Sequence, residues 1–343
     1  MKNIIGAENA APTQGLPGPQ ARQLLVDDAG AGQRLDNFLL RHLKGVPKTH
    51  VYRIIRSGEV RVNKGRAQAD TRVEDGDVVR LPPVRVSEKI AEKQAHPAPP
   101  RQFPVLFEDE HVLAIDKPAG VAVHGGSGVS FGVIEQLRCA RPQARFLELV
   151  HRLDRDTSGI LLIAKKRSAL THLQNQFRER ETGKVYLALV SGAWPANKKV
   201  IDLPLHKYLE GAADLKAGSA NVKAAGERRV KVVAKDDPDG MRAITLVKVA
   251  KKLASYTLLE VTIKTGRTHQ IRVHLASSGY PIAGDDKYGD FELNKGLQKR
   301  GFKRMFLHAW RLQFTHPASA EAVALQTELP PELADFLAAQ SVA

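Results

Sequence analysis

Apolar positions along the chain change period several times, and each change marks a predicted element. Residues 1–20 are rich in Ala, Pro, Gly and Gln without hydrophobic periodicity and are expected to form a disordered tail. An apolar run at Leu24, Leu25 and Val26 predicts a strand; Leu35, Phe38, Leu39 and Leu43 then recur at helical spacing. A turn at Gly45–Pro47 leads to a second helix with its apolar stripe at Val51, Ile54 and Ile55, closed by Gly58. Val60 and Val62 alternate, the chain turns at Asn63–Gly65, and a strand returns at Val78 and Leu81 after the Asp75–Gly76 turn. The pattern predicts a helix–helix–hairpin domain over residues 21–84.

Periodicity then fades. Residues 85–102 are Pro-, Glu-, Lys- and Ala-rich and are expected to be a semi-rigid linker. From residue 103 to about 336 the pattern predicts one larger domain. Its strand candidates are Val112–Ile115, Gly159–Ala164, Val185–Val190, Ala243–Val249 and Tyr256–Lys264; its helix candidates are Gly132–Cys139, Ser168–Arg180 and Thr268–Ser278. Strands outnumber helices and several connections are short. That combination predicts an α+β fold with a mainly antiparallel mixed sheet flanked by helices and loops. Residues 207–229, rich in Lys, Ala and Gly, are expected to be a mobile surface loop.

Charge narrows the possible partners. The chain has 343 residues and a formal net charge of +15, from 52 Lys and Arg against 37 Asp and Glu. Such an excess points to a polyanion. No apolar run approaches the ~18 residues that span a bilayer, and the start lacks a positive-then-apolar signal pattern, so nucleic acid is favoured over membrane. The single Cys139 excludes an intramolecular disulfide and a thiolate-based zinc site, which fits the cytoplasm. Residues 21–89 hold fourteen Lys or Arg and nine Asp or Glu. Within the second predicted helix Lys48, Tyr52 and Arg56 are spaced four apart beside Arg53, giving a cationic face suited to phosphates.

Two stretches could carry chemistry. Val150-His151-Arg152-Leu153-Asp154-Arg155-Asp156-Thr157-Ser158-Gly159 crowds carboxylates, guanidiniums, an imidazole and hydroxyls into a turn before a buried strand. A strand can hold such a turn rigidly, and neighbouring arginines favour the charged form of a carboxylate, which can then act as nucleophile or base. By residue types alone, a surface ion-pair network closing a turn is the favoured reading of the stretch. The second is Gly266-Arg267-Thr268-His269-Gln270-Ile271-Arg272-Val273-His274. Gly266 breaks the preceding strand, Thr268 is a candidate N-cap, and Ile271 and Leu275 are expected to be buried. His269, His274, His308 and His316 lack a matching carboxylate cluster and read as core or surface histidines, so no metal is expected.

His151 to Gly159 resembles, residue for residue, the signature of the RluA-type pseudouridine synthase family. Lys117-Pro118-Ala119-Gly120, Lys184-Val185-Tyr186 and Gly266–His274 resemble its other motifs in the same order. The likeness spans about residues 23–335; the one departure is a longer loop between Leu205 and Arg229. His124–Gly132 looks most like a family member acting on several uridines of bacterial large-subunit ribosomal RNA. The first domain resembles the RNA-binding module first seen in ribosomal protein S4, from Arg34-Leu35-Asp36 through Val62-Asn63.

The resemblance implies an isomerase converting uridine to pseudouridine in that RNA, with Asp154 as its catalytic carboxylate. It further implies Arg272 as the ion-pair partner of Asp154, Tyr186 as the residue packing on uracil and assisting proton removal, and Arg152 as the side chain filling the gap left by the flipped base. His151, Arg267 and Ile271 are expected to contact substrate, and Lys48, Arg53 and Arg56 to contact RNA. The reaction exchanges no atoms and no electrons with a partner, so no cofactor is expected; the chain is expected to act as a monomer. A cofactor-dependent methyltransferase would need a Gly-rich loop after an early strand, and none is present. A zinc deaminase would need a Pro-Cys-x-x-Cys run that one cysteine cannot supply. A non-catalytic ribosome-assembly factor stays open until activity is measured.

Overall fold

The computed structural model describes residues 21–43, 45–84, 98–126, 131–209 and 228–340. The tail expected at 1–20, the linker over 85–97, nearly all of the 207–229 loop and part of the His124–Gly132 run lie outside the described residues. The chain divides into two compact units, Met1–Pro97 and Ala98–Ala343.

In the first unit, strand β1 (Arg22–Leu25) precedes helices α1 (Leu35–His42) and α2 (Lys48–Arg56), then strands β2 (Arg61–Val62) and β3 (Val78–Leu81). The strands form an antiparallel sheet in the order β1-β3-β2. The two helical stripes read from the sequence are its core: Leu35, Phe38 and Leu39 pack with Val51, Ile54, Ile55, Val79 and Leu81. Each such side chain contributes roughly 1.5–3 kcal/mol by leaving water, which is what holds so small a unit together.

The second unit contains β4 (Val105–Glu108), β5 (Val112–Lys117), α3 (Val133–Ala140), β6 (Glu148–Leu149), β7 (Ser158–Ala164), α4 (Arg167–Glu179), β8 (Gly183–Ser191), β9 (Val200–Asp202), β10 (Leu205–Leu209) and β11 (Arg228–Val232). These are followed by β12 (Ile244–Lys252), β13 (Tyr256–Ile263), α5 (Gln270–Ser277), α6 (Phe291–Lys299), β14 (Leu307–Thr315), β15 (Ala322–Gln326) and α7 (Pro331–Ala338). A 10-stranded sheet runs β4-β5-β7-β14-β8-β13-β12-β9, with β15 beside β14 and β6 beside β7; β10 and β11 form a separate pair. The α+β, mainly antiparallel expectation holds, with β7 and β14 as the parallel pair. Every residue of β7 is buried, which explains its continuous rather than alternating apolar sequence.

Gly159 sits where β7 meets β14. Its φ is +110°, and a Cβ there would run into the backbone of Ala309, so only glycine lets the two strands close. This fixes the end of the polar turn against the sheet.

Some elements differ from the pattern-based expectation. Helix α5 starts at Gln270, and the preceding His269, not Thr268, is at its N-terminus with a left-handed φ of 51°. Thr268 makes no cap because Gln270 organises the turn: its Oε1 accepts the Thr265 hydroxyl at 2.8 Å and the Arg267 N–H at 3.1 Å. Strand β12 continues to Lys252 through a register shift between Val249 and Lys251. Residues 98–102, read as linker, lie against α3: the Arg101 N–H donates to Gln136 O at 3.4 Å, and Ala98 is buried. Helix α7 carries the unit past Phe336 to Ala338.

Candidate active site

The polar turn between β6 and β7 is anchored at both ends. Ser158, fully buried, hydrogen-bonds His308 Nδ1 at 2.8 Å and accepts from Arg304 Nη2 at 2.6 Å. On the other side Lys117, at the end of β5, donates to Pro118 O at 2.9 Å, Val121 O at 2.8 Å and Arg155 O at 2.9 Å. Three donors meet three carbonyls, so one side chain ties the Lys117–Val121 turn to the turn carrying Asp154. Burial pushes the Lys117 ammonium down to about 7, while the carboxylates of Asp156 and Asp154 act in the opposite direction. Lys117→Met should leave those carbonyls without donors. It is expected to cost about 2–3 kcal/mol, read as a lower midpoint of urea unfolding at unchanged slope.

This turn and the start of α5 enclose a cavity of about 110 Å³ lined by Arg152, Leu153, Asp154, Thr157, Tyr186, Ile263, Gly266 to Arg272 and Leu307. Asp154 Oδ2 lies 3.6 Å from Arg272 Nη1, and Oδ1 lies 4.0 Å from His269 Nε2. Arg272 is itself buried and gives its short hydrogen bonds elsewhere. Nε and Nη2 donate to the two oxygens of Asp285 at 2.8 and 2.7 Å. Burial works against the guanidinium charge, but the hydrogen bond and charge of Asp285, with the charge of Asp154, hold it above its ordinary value. The Asp285 carboxyl, pushed up by burial, is nonetheless held below its ordinary value by Arg272 and by the backbone N–H groups of Tyr288 and Lys287. The expected Arg272–Asp154 pair is therefore one arm of a buried arrangement whose stronger arm is Asp285.

Tyr186, on β8, reaches the same cavity from the sheet. Burial, then the Asp154 charge, raise its phenol above the ordinary tyrosine value. A phenol so raised keeps its proton. A protonated phenol on the cavity wall can pack against a ring and donate a hydrogen bond.

The cavity gathers Arg152, Asp154, Tyr186, Arg267, Ile271 and Arg272. His151 is not among its lining residues. Its Nε2 accepts the Leu162 N–H at 3.1 Å, its ring stacks on Phe177 with centroids 4.7 Å apart, and burial lowers it to about 3. It is a neutral packing residue under the turn, facing a neighbouring groove rather than the cavity. That groove, about 470 Å³, shares Arg152, Tyr186 and Arg267 with the cavity and adds Arg178, Arg180, Lys184 and Lys264. Lys184 opens the Lys184-Val185-Tyr186 motif, but Arg178, Arg180 and Lys264 carry no signal in the sequence, because they come from the end of α4 and the segment after β13, which only the sheet brings together. Asp285 and Tyr288 also went unnoticed. The available signal was Gly284-Asp285-Asp286-Lys287-Tyr288-Gly289, a charged stretch bracketed by glycines.

In the first unit Lys48, Arg53 and Arg56 are exposed along α2. Tyr52 on the same helix donates its hydroxyl to Asp36 Oδ2 at 2.9 Å, and Arg34 Nη2 donates to that oxygen at 2.8 Å. Asp36, held low first by Arg34, thus joins α1 to α2 and fixes the cationic face. A groove of about 850 Å³ beside it is lined by Tyr52, Arg56, Arg66 and Gln68 among others. Among the described residues, no three His, Cys, Asp or Glu side chains are grouped to hold a metal ion, and no helix is long and apolar enough to cross a membrane.

A carboxylate, a guanidinium and a phenol thus converge on one cavity, and the first unit carries a cationic helix. Residues 111–277 match the RNA pseudouridylate synthase family and residues 33–79 match the S4 domain. The ribosomal large subunit pseudouridine synthase C of Pasteurella multocida is 48% identical over 322 residues, 93% of this chain and 93% of that protein. The protein of the same name from Vibrio cholerae is 47% identical, covering 93% of this chain and 96% of its own length. Among solved structures, human RNA pseudouridylate synthase domain containing 4 superposes with a TM-score of 0.54 at 25% identity, over 68% of this chain and 92% of that one. The chain belongs to the RNA pseudouridylate synthase family.

Proposed function

We propose that this chain isomerises uridines of large-subunit ribosomal RNA to pseudouridine, with Asp154 as its catalytic carboxylate. The observation that carries the reading is the placement of Asp154 in a cavity with Arg272 on one carboxylate oxygen, His269 near the other and Tyr186 alongside. In the reaction the bond from the sugar to the ring nitrogen breaks, the uracil turns, a ring carbon bonds to the sugar, and the proton of that carbon is lost while the nitrogen regains one. Asp154 serves the sugar, as nucleophile at the anomeric carbon or as base on a sugar proton. Arg272 offsets its charge, Tyr186 packs against the ring, and Arg152 fills the space that the extruded base leaves. Arg267 and Ile271 complete the wall, and the cations of the adjoining groove follow the RNA backbone. The relatives named for the large ribosomal subunit support that RNA as substrate.

Release of tritium from ring-labelled uridine in large-subunit ribosomal RNA is the direct test. Release above the level of a denatured control is expected, and its absence on RNA at every assembly stage would overturn the reading. Cytoplasmic location and action as a monomer are part of the same proposal, as is the division into an RNA-binding domain (21–84), a linker that ends before Ala98, and a catalytic domain from Ala98 through Ala338.

The S4-type unit adds phosphate contacts without touching the reacting base, through Lys48, Arg53 and Arg56. Interactions equal in ground and transition states change binding rather than the chemical step. Removal of residues 1–85 should therefore weaken RNA binding and leave the saturating single-turnover rate within a few-fold. The plot of log affinity against log salt should become shallower by about 0.9 for each duplex phosphate that is no longer neutralised. Equal slopes for full-length and shortened proteins would mean that the unit does not touch phosphate.

A further inference from the structure

His269 has no role in the reaction as described above, yet its surroundings are organised around one ring orientation. It precedes α5 with a left-handed φ of 51°, a conformation uncommon outside glycine that persists only where the surrounding structure demands it. Its Nδ1 lies 2.8 Å from the Tyr288 hydroxyl. That hydroxyl also accepts the backbone N–H of Val230, on β11, at 3.0 Å. Among the described residues the Tyr288 O–H has no other acceptor within hydrogen-bond distance, so its proton goes to Nδ1. Burial pushes the Tyr288 phenol up to about 12, so that proton stays in place across the working range. With Nδ1 occupied as an acceptor, the ring proton must sit on Nε2, the nitrogen 4.0 Å from Asp154 Oδ1. Arg272 sits 5.1 Å over the Tyr288 ring, so the residue that fixes the imidazole also packs on the cation opposite Asp154.

We propose that His269 is a positioning residue for Asp154: Tyr288 holds its imidazole as the Nε2–H tautomer, and that single N–H orients Oδ1 while Arg272 holds Oδ2. The assignment rests on the reading of Asp154 as the catalytic carboxylate. Two different donors make the two oxygens inequivalent, which selects the oxygen presented to the sugar. The 4.0 Å separation exceeds a hydrogen bond, and contacts of this kind are commonly long before substrate binds and tighten in the complex. The charged groups facing the ring are Asp154, Arg272, Lys287 and Asp285, and burial is the largest influence, holding the imidazole below its ordinary value.

The first measurement is independent of turnover. Long-range proton–nitrogen NMR on the full chain should find His269 in one tautomer, protonated on Nε2, and Tyr288→Phe should abolish that preference. The second is single-turnover rate at saturating enzyme. His269→Ala should lose about 30-fold, the order of a hydrogen bond to a charged group. His269→Gln, whose amide N–H₂ can take the place of Nε2–H, should return to within about threefold of the unsubstituted chain. Tyr288→Phe should lose about fivefold alone and nothing further when added to His269→Ala, since both act through one interaction. An Nδ1–H tautomer, a Gln variant no better than Ala, or additive losses would each overturn the proposal. Asp154→Asn, measured alongside, separates the two claims. If it retains activity, the role of Asp154 itself fails. If it is inactive while His269→Ala is fully active, only the positioning role fails.

Discussion

Asp154→Asn is expected to reduce single-turnover pseudouridine formation by at least ~10³-fold, roughly 4 kcal/mol of transition-state stabilisation, with RNA binding and thermal unfolding nearly unchanged. Neither role open to Asp154, attack on the anomeric carbon or removal of a sugar proton, is available to a neutral amide. The fold should tolerate the change because the carboxylate is not part of what closes the turn. It faces its neighbours at 3.6 and 4.0 Å, beyond hydrogen-bond distance, and its side chain keeps 24% exposure. The turn is instead closed by the Thr157 N–H on Asp154 O at 3.2 Å, by the Lys117 hydrogen bond to Arg155 O and by Gly159, none of which uses the Asp154 carboxylate as a hydrogen-bond partner. The check is a rate measured with enzyme in excess over RNA, together with a binding isotherm on the same preparation. Retention of more than a tenth of the original rate would remove Asp154 from the chemistry.

How much of this site was legible in advance depended on whether a residue's partners are close in sequence. The turn from Val150 to Gly159 could be read directly, because its polar crowding and the apolar strand after it are contiguous. The α1 and α2 stripes were equally plain, since each faces water on one side and the 3.6-residue period survives. Helix α5 was harder: Gln270, Arg272 and His274 are buried along with Ile271 and Leu275, so no polar face marked its orientation or its start. His274 bonds Thr245 and Leu203 O, and Gln270 bonds Ile244 O and Thr245, all more than twenty residues away. Likewise, the partner of Arg272 stands 13 positions on, in a turn with no periodic signal of its own. The packing of His151 was hidden for a related reason. In a stretch of charged residues one imidazole looks like its neighbours, and only the fold shows that it packs on Phe177 beneath them.

Loss of Arg272 should damage both the fold and the chemistry, and the two effects can be separated. Arg272→Ala leaves Asp285, with 1% side-chain exposure, as a buried carboxylate without its counter-charge, a change expected to cost about 3–5 kcal/mol. The pH dependence identifies the cause. In the unsubstituted chain Arg272 keeps the folded carboxyl of Asp285 below its unfolded value, so the pair adds stability that is present above the unfolded value and lost as pH falls through the folded one. Without Arg272 the effect of burial prevails, and the folded carboxyl rises above its unfolded value. The variant then loses stability as pH rises through that raised value. The stability gap between the two chains should therefore be widest near neutral pH and narrow on acidification, as followed by urea unfolding across a pH series. Arg272→Met/Asp285→Asn removes both charges, while the amide oxygen introduced in place of the carboxylate can still accept the backbone N–H groups of Lys287 and Tyr288. It should recover most of the lost stability. It should not recover turnover, which is expected to stay about 10²-fold low because no cation remains 3.6 Å from Asp154. A double variant that regains both stability and rate would make Arg272 a residue of the fold alone.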